Sequence, residues 1–157
     1  MKLLDTIFHL LAGSPVRPCV TDLNARLLNA WVLHQSIEYL HPQCTWQLGE
    51  GHILQGAYKG NDFYQWYTQQ LDARYATWTE AIESVISSEI GGIIVGEYQF
   101  QKEIDGLWQT APFTHFYRIE NEQITSVRMY MGAISSHLDA GNQLIEIASI
   151  QYFLSAN

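Results

Sequence analysis

The most regular pattern of apolar and polar positions runs from Gly91 to Met131, where three segments alternate with a period of two. In the first, Ile94, Tyr98 and Phe100 share one face while Glu97, Gln99 and Gln101 share the other. Asp105-Gly106 follows and predicts a hairpin, because glycine accepts a positive φ without steric cost. The second segment places Ala111, Phe113, His115, Tyr117 and Ile119 on one side, and a turn centred on Asp105-Gly106 sets His115 opposite Gly96 and Phe113 opposite Tyr98. After a polar turn at Asn121-Glu122-Gln123, Thr125, Val127, Met129 and Met131 line one face of the third. Such a pattern builds a curved antiparallel sheet with an apolar inner wall. His115 is the one ionisable side chain on that wall.

Upstream the period changes to that of helices. Residues 1–13 form a short amphipathic helix, and Ser14-Pro15-Val16-Arg17-Pro18 within 14–20 breaks it. Thr21 or Asp22 caps a second helix reaching about Leu40, with Leu23, Leu27, Ala30, Trp31 and Ile37 as its apolar stripe and His41-Pro42 as its stop. Cys44 to Leu48 is a short strand, and a glycine-marked loop covers Gly49 to Gly60. A third helix starts at Asn61 or Asp62 and carries Phe63, Trp66, Tyr67 and Leu71 inward. The passage holding Trp78, Ala81, Ile82, Val85 and Ile86 is either helical or extended, and the tail 139–157 fits a helix slightly better than a strand. Helices first and strands later define one α+β domain over 1–157.

Composition narrows the functions. A net charge of −8 with eight scattered basic residues argues against nucleic acid, whose phosphates are bound through Lys and Arg. No apolar run reaches the roughly 20 residues that span a bilayer, so no membrane partner is expected. Asp5 inside the first apolar stretch argues against a signal peptide, and Cys19 and Cys44 form neither a disulfide framework nor a metal-ligand spacing. Both fit a cytoplasmic protein with reduced thiols. Neither a metal nor a cofactor is called for.

The order of elements resembles the cone-shaped α+β barrel of the nuclear transport factor 2-like superfamily, in its SnoaL-like and ketosteroid-isomerase-like branches. Gln55-Gly56-Ala57-Tyr58-Lys59-Gly60 before an aromatic helix is similar to the family's glycine-marked loop, and Phe116 to Ile119, a polar turn and Ile124 to Tyr130 resemble its last hairpin. The likeness covers about Asn24 to Met131. The steroid isomerases of this superfamily use a carboxylate base, a tyrosine and a second, protonated carboxyl. Carried onto this chain, the base falls on Gln47 or Trp46, the tyrosine on Leu23 and the carboxyl on His115. Gly132 stands where many SnoaL-like members carry Asp. A standard steroid isomerase is therefore excluded.

The resemblance implies a cavity. His115, with Tyr98 and Tyr117, is the expected catalytic group, a neutral imidazole able to shuttle a proton or polarise a carbonyl. The expected wall adds Gln47 at the mouth or floor, together with Trp46, Phe113, Phe100, Ile94, Gly96, Met129, Met131, Val127, Trp31 and Trp66. Such a wall suits a small hydrophobic or aromatic compound bearing a carbonyl or hydroxyl, and isomerase, cyclase or dehydratase chemistry. A non-catalytic dimeric binding or scaffold protein is the alternative, in which His115 is a hydrogen-bonded core residue. A cavity of about 300 Å³ reaching His115 would favour the first reading. His34 lies near the helical stripe, while His41, His52 and His137 fall in loops and are expected to be solvated. Glu97 is expected to pair with Arg118 or Arg128 on the outer face, where Phe116, Arg118, Arg128 and Tyr130 suit a homodimer interface.

Overall fold

The computed structural model describes residues 19–137, so the expected helix at 1–13 and the tail at 139–157 lie outside the described residues. Helix α1 spans Val20–His34. Strand β1 is Leu40–Leu48, β2 is Gly56–Lys59 and helix α2 is Phe63–Asp72. Strands β3 (Thr77–Ser88), β4 (Gly91–Gln101), β5 (Trp108–Glu120) and β6 (Gln123–Met131) follow, with a short β7 at Ser135–His137. The sheet order is β2-β1-β6-β5-β4-β3, and β7 pairs with β5. The two helices and the curved sheet enclose an aromatic core, giving the cone-shaped α+β architecture. The sheet is mixed rather than antiparallel throughout, because β1 runs parallel to β6.

Several boundaries differ from the sequence reading. Helix α1 starts at Val20 with Cys19 as its cap, two residues before the first expected cap, and with no side-chain cap bond. It stops at His34, six residues early, because Gln35 turns into the left-handed region at φ 47° and its N–H closes on the Trp31 carbonyl at 2.7 Å. The turn sends Ile37 outward and lets Leu40 open β1. Pro42 thus lies inside a strand, in the stretch between Leu40 and Thr45 where the ladder to β6 is interrupted, so its missing N–H costs no ladder bond. The passage 77–88 is extended, and its pairing with β4 decides the open choice.

The hairpin register also moves. Asp105 rather than glycine takes the left-handed φ, at 65°, and the turn is centred one residue earlier. His115 therefore pairs with Ile94, and Gly96 with Phe113. A shift of two residues preserves the faces, so His115 still points inward.

Close approach of α1 to the sheet depends on Gly92, where a Cβ would strike the Ile86 carbonyl and the Leu28 side chain. Asn24, buried on α1, donates from Nδ2 to the Ser88 carbonyl at 2.8 Å and pins the helix over the β3–β4 turn. The buried stripe of α1 is consequently Asn24, Leu28 and Trp31, offset from the expected one.

Candidate functional site

Alternation along β4 and β5 brings Ile94, Gly96, Tyr98, Phe100, Phe113, His115 and Tyr117 to the buried face. Trp46 from β1, Trp31 from α1, and Val127 and Met129 from β6 are buried with them, while Met131 is half-buried at the rim. Two expected members fall elsewhere. Gln47 is exposed between the buried Trp46 and Leu48, because strand alternation turns it outward. Trp66 is 39% exposed, and Tyr64 occupies the inner face of α2 in its place. His52, expected in solvent, is buried. Its loop folds back through Gly51 at φ 87°, and bonds from the His52 N–H to the Gly49 carbonyl and from the Gln55 N–H to the His52 carbonyl hold it there.

These residues make one buried polar chain. His115 Nε2 lies 2.8 Å from Tyr98 Oη and its Nδ1 lies 3.3 Å from Tyr117 Oη. Trp31 Nε1–H donates to Tyr117 Oη at 3.2 Å. On the other side Tyr98 Oη is 3.0 Å from Tyr67 Oη, which is 3.4 Å from His52 Nε2. The Phe113 ring stacks on His115 at 4.4 Å. Burial pushes the His115 pKa down to about 3, with the His52 charge adding to it, and pushes His52 down to about 4. Burial also raises the Tyr67, Tyr98 and Tyr117 hydroxyls well above their ordinary range. Every group of the chain is neutral at pH 7.

Neutrality lets the protons be assigned from the bonding network. His52 Nδ1 accepts the Leu54 N–H at 3.1 Å, so its ring proton sits on Nε2 and is directed to Tyr67. At the far end Tyr117 accepts from Trp31, and two His115 tautomers fit the contacts; in one of them Tyr117 gives its own proton to His115 Nδ1. In that tautomer His115 carries its ring proton on Nε2, toward Tyr98. Both ends then donate inward, and Tyr67 and Tyr98 meet in the middle with two hydroxyl protons for one mutual bond. One O–H is left without an acceptor in the chain.

That O–H lies on a small hollow. Tyr67, Tyr98, His52, Phe100, Trp78 and Met131 line a cavity of about 20 Å³ between α2 and the sheet. It is room for about one water. Larger, open cavities lie outside the core: about 540 Å³ on the outer sheet face, about 390 Å³ beside Tyr64 and His34, and about 300 Å³ beside Glu80. None of these four is lined by His115, whose surroundings are packed.

Sequence reasoning missed Glu80. It lies opposite Tyr98 in the β3–β4 ladder, its Oε1 is buried without a hydrogen-bond partner, and burial raises its pKa to about 7. The signal was the period-two pattern of β3, which the unresolved choice between helix and strand concealed. The expected Glu97 pair is replaced by Arg118 Nε to Glu120 Oε1 at 2.8 Å, two residues along the same strand and therefore on the same face. Cys19 and Cys44 are free, and burial pushes the Cys44 thiol up to about 12. Among the described residues no group of three His, Cys, Asp or Glu side chains is placed to hold a metal, and no helix is long and apolar enough to cross a membrane.

The fold is that of the nuclear transport factor 2-like superfamily. A putative SnoaL-like polyketide cyclase from Jannaschia sp. CCS1 is similar at 10% identity and TM-score 0.60, over 75% of this chain and 91% of that one. An NTF2-like protein from Burkholderia thailandensis E264 matches at 14% identity and TM-score 0.60, over 69% and 89% of the two chains. TerC, co-crystallized with polyporic acid, matches at 17% identity and TM-score 0.58, over 68% and 89%. No family model and no curated protein matches the sequence.

Proposed function

We propose that this chain binds a small hydrophobic or aromatic compound bearing a carbonyl or hydroxyl, between α2 and the sheet, with the ligand oxygen accepting an O–H of the Tyr67–Tyr98 pair. The observation that carries this reading is the hollow lined by both the Tyr67 and Tyr98 hydroxyls, which share a single mutual bond; the His115 tautomer protonated on Nε2 leaves one of their protons spare. A buried donor without an acceptor costs about 1–3 kcal/mol, which a ligand oxygen would recover. TerC, which shares the fold, was co-crystallized with polyporic acid. The rim of the hollow, Ile53, Tyr75, Trp78 and Met131, is half-buried. Entry requires these side chains to move, Met131 most readily because its side chain is unbranched. His115 does not touch such a ligand. It acts through Tyr98, as a positioning residue and as the next link of a proton relay suited to isomerisation, cyclisation or dehydration.

A thermal-shift panel of aromatic ketones and quinones, with matched hydrocarbons, tests this. Ketones are expected to raise the melting temperature of the wild type by several degrees at saturating concentration. Met131→Trp, which fills the hollow, and the double variant Tyr67→Phe/Tyr98→Phe, which removes both hydroxyls, should lose most of that gain. Compounds that stabilise all three proteins equally would place binding elsewhere.

The closed packing around His115 favours a second reading, a dimeric binding or scaffold protein without chemistry. In both readings we propose that two copies pair through the outer sheet face. Phe116 and Tyr130 are 42% and 44% exposed, meet edge-to-face at 5.8 Å and, with Ile86, Arg118 and Arg128, line the 540 Å³ groove. A two-fold axis would set this patch against itself, Phe116 and Tyr130 meeting their counterparts while Arg118 stays paired with Glu120. Light scattering should give twice the chain mass for the wild type and the single mass for Phe116→Asp/Tyr130→Asp. A monomeric wild type would end the pairing proposal.

A further inference from the structure

Glu80 is not used by the polar chain, and nothing cationic faces it among the described residues. Tyr98 from β4, Tyr64 and Tyr67 from α2, and Tyr117 from β5 all feel its charge, and all four are neutral. From the end of α1, Gln35 Nε2 reaches Glu80 Oε2 only at 3.5 Å, the limit of a hydrogen bond. Oε1 has no partner, and the Tyr64 hydroxyl is likewise buried without one. The one ion pair among the described residues, Arg118–Glu120, is exposed at the surface. A buried carboxylate with no cation and an unused oxygen is costly, and a cation delivered by a ligand removes that cost.

The surroundings say what kind of cation fits. The open cavity of about 300 Å³ beside Glu80 has a polar side, Gln35, Thr79 and Glu80 itself, and an apolar side, Val32, Trp78 and Ile82. Trp78 is fixed by its Nε1–H bond to Asp72 Oδ1 at 2.7 Å, which offers an ordered indole for an ammonium to approach. Gln35 is exposed, held in the left-handed conformation that ends α1, and borders both this cavity and the 390 Å³ one beside Tyr64. Its side chain reaches both Glu80 and Tyr64, at the limit of hydrogen bonding. A bare metal ion would find one carboxylate and no further ligands here.

We propose that Glu80 is the anchor of a second binding site, which takes a hydrophobic organic amine whose ammonium pairs with Oε1 while its body lies against Trp78, Val32 and Ile82. The site goes beyond the hollow at Tyr67 and Tyr98. It opens beside Gln35 and shares only Trp78 as a common wall.

Titration calorimetry with 2-phenylethylamine and its neutral counterpart 2-phenylethanol tests the proposal. The amine should bind the wild type at pH 8 and about thirtyfold more weakly at pH 5.5, because Glu80 takes a proton at about 7 while the amine stays charged. The alcohol should not bind at either pH. Glu80→Gln, checked for folding by its melting curve, should lose amine binding. Gln35→Ala should retain or strengthen it, and Met131→Trp, which closes the other hollow, should leave it unchanged. No amine binding by the wild type, equal binding of the alcohol, or amine binding that survives Glu80→Gln would overturn the proposal.

Discussion

Stability is expected to fall steeply between pH 6.5 and pH 4, and His115→Gln should flatten that fall. Both buried imidazoles have folded pKa values below the ordinary 6.5, about 3 for His115 and about 4 for His52. A depressed pKa means that the unfolded chain takes up a proton the folded chain refuses. Their full contribution is present above 6.5. It drains away as the pH falls, to about 4 for His52 and about 3 for His115. Each shift corresponds to several kcal/mol, on the order of half the stability of an ordinary domain. Glutamine at 115 does not titrate and keeps a donor and an acceptor for Tyr98 and Tyr117. The variant should lose about 1–3 kcal/mol at pH 7 through poorer hydrogen-bond geometry. Its stability should then decline less with acid than that of the wild type. Urea melts at several pH values measure both slopes, and parallel slopes would mean that His115 is not a buried neutral group.

Glu80→Gln should stabilise the protein at pH 8 and leave it unchanged at pH 4. Here the sign is reversed, because burial raises the carboxyl pKa from 4.5 to about 7. Below 4.5 the group is protonated in both states and costs nothing extra. The penalty grows as the pH rises from 4.5 to about 7 and is constant above that. Removing the charge should therefore recover on the order of 3 kcal/mol at pH 8. For a domain of this size that is roughly 5–10 °C in melting temperature. Equal effects at both pH values would show a carboxylate that is solvated or paired.

Much of the fold was legible because it rests on periodicity. Alternation from Ile93 to Met131 gave three strands, their faces and the inward direction of His115. Those faces survived the register shift because alternation is blind to steps of two. Where the signal was local the reading slipped. Gln35 ends α1 by adopting a left-handed conformation that glycine or asparagine usually takes, and nothing in its side chain announces that. His52 looked solvated because its segment has no period, yet the Gly51 turn folds it into the core. Both errors hid the site, since His52 closes one end of the polar chain and Gln35 borders the cavity beside Glu80. The volume around His115 lay beyond any pattern. It depends on how Trp31, Phe113 and Tyr117 pack together, which alternation does not encode.

The most direct test of ligand binding between α2 and the sheet is a crystal structure of the protein grown with an aromatic ketone that stabilises it. The ketone is expected between Trp78 and Met131, displacing the rim, with its oxygen about 2.7–3.0 Å from the Tyr67 or Tyr98 hydroxyl. A ketone seated in the outer groove at Phe116 and Tyr130, with the hollow still closed, would contradict it.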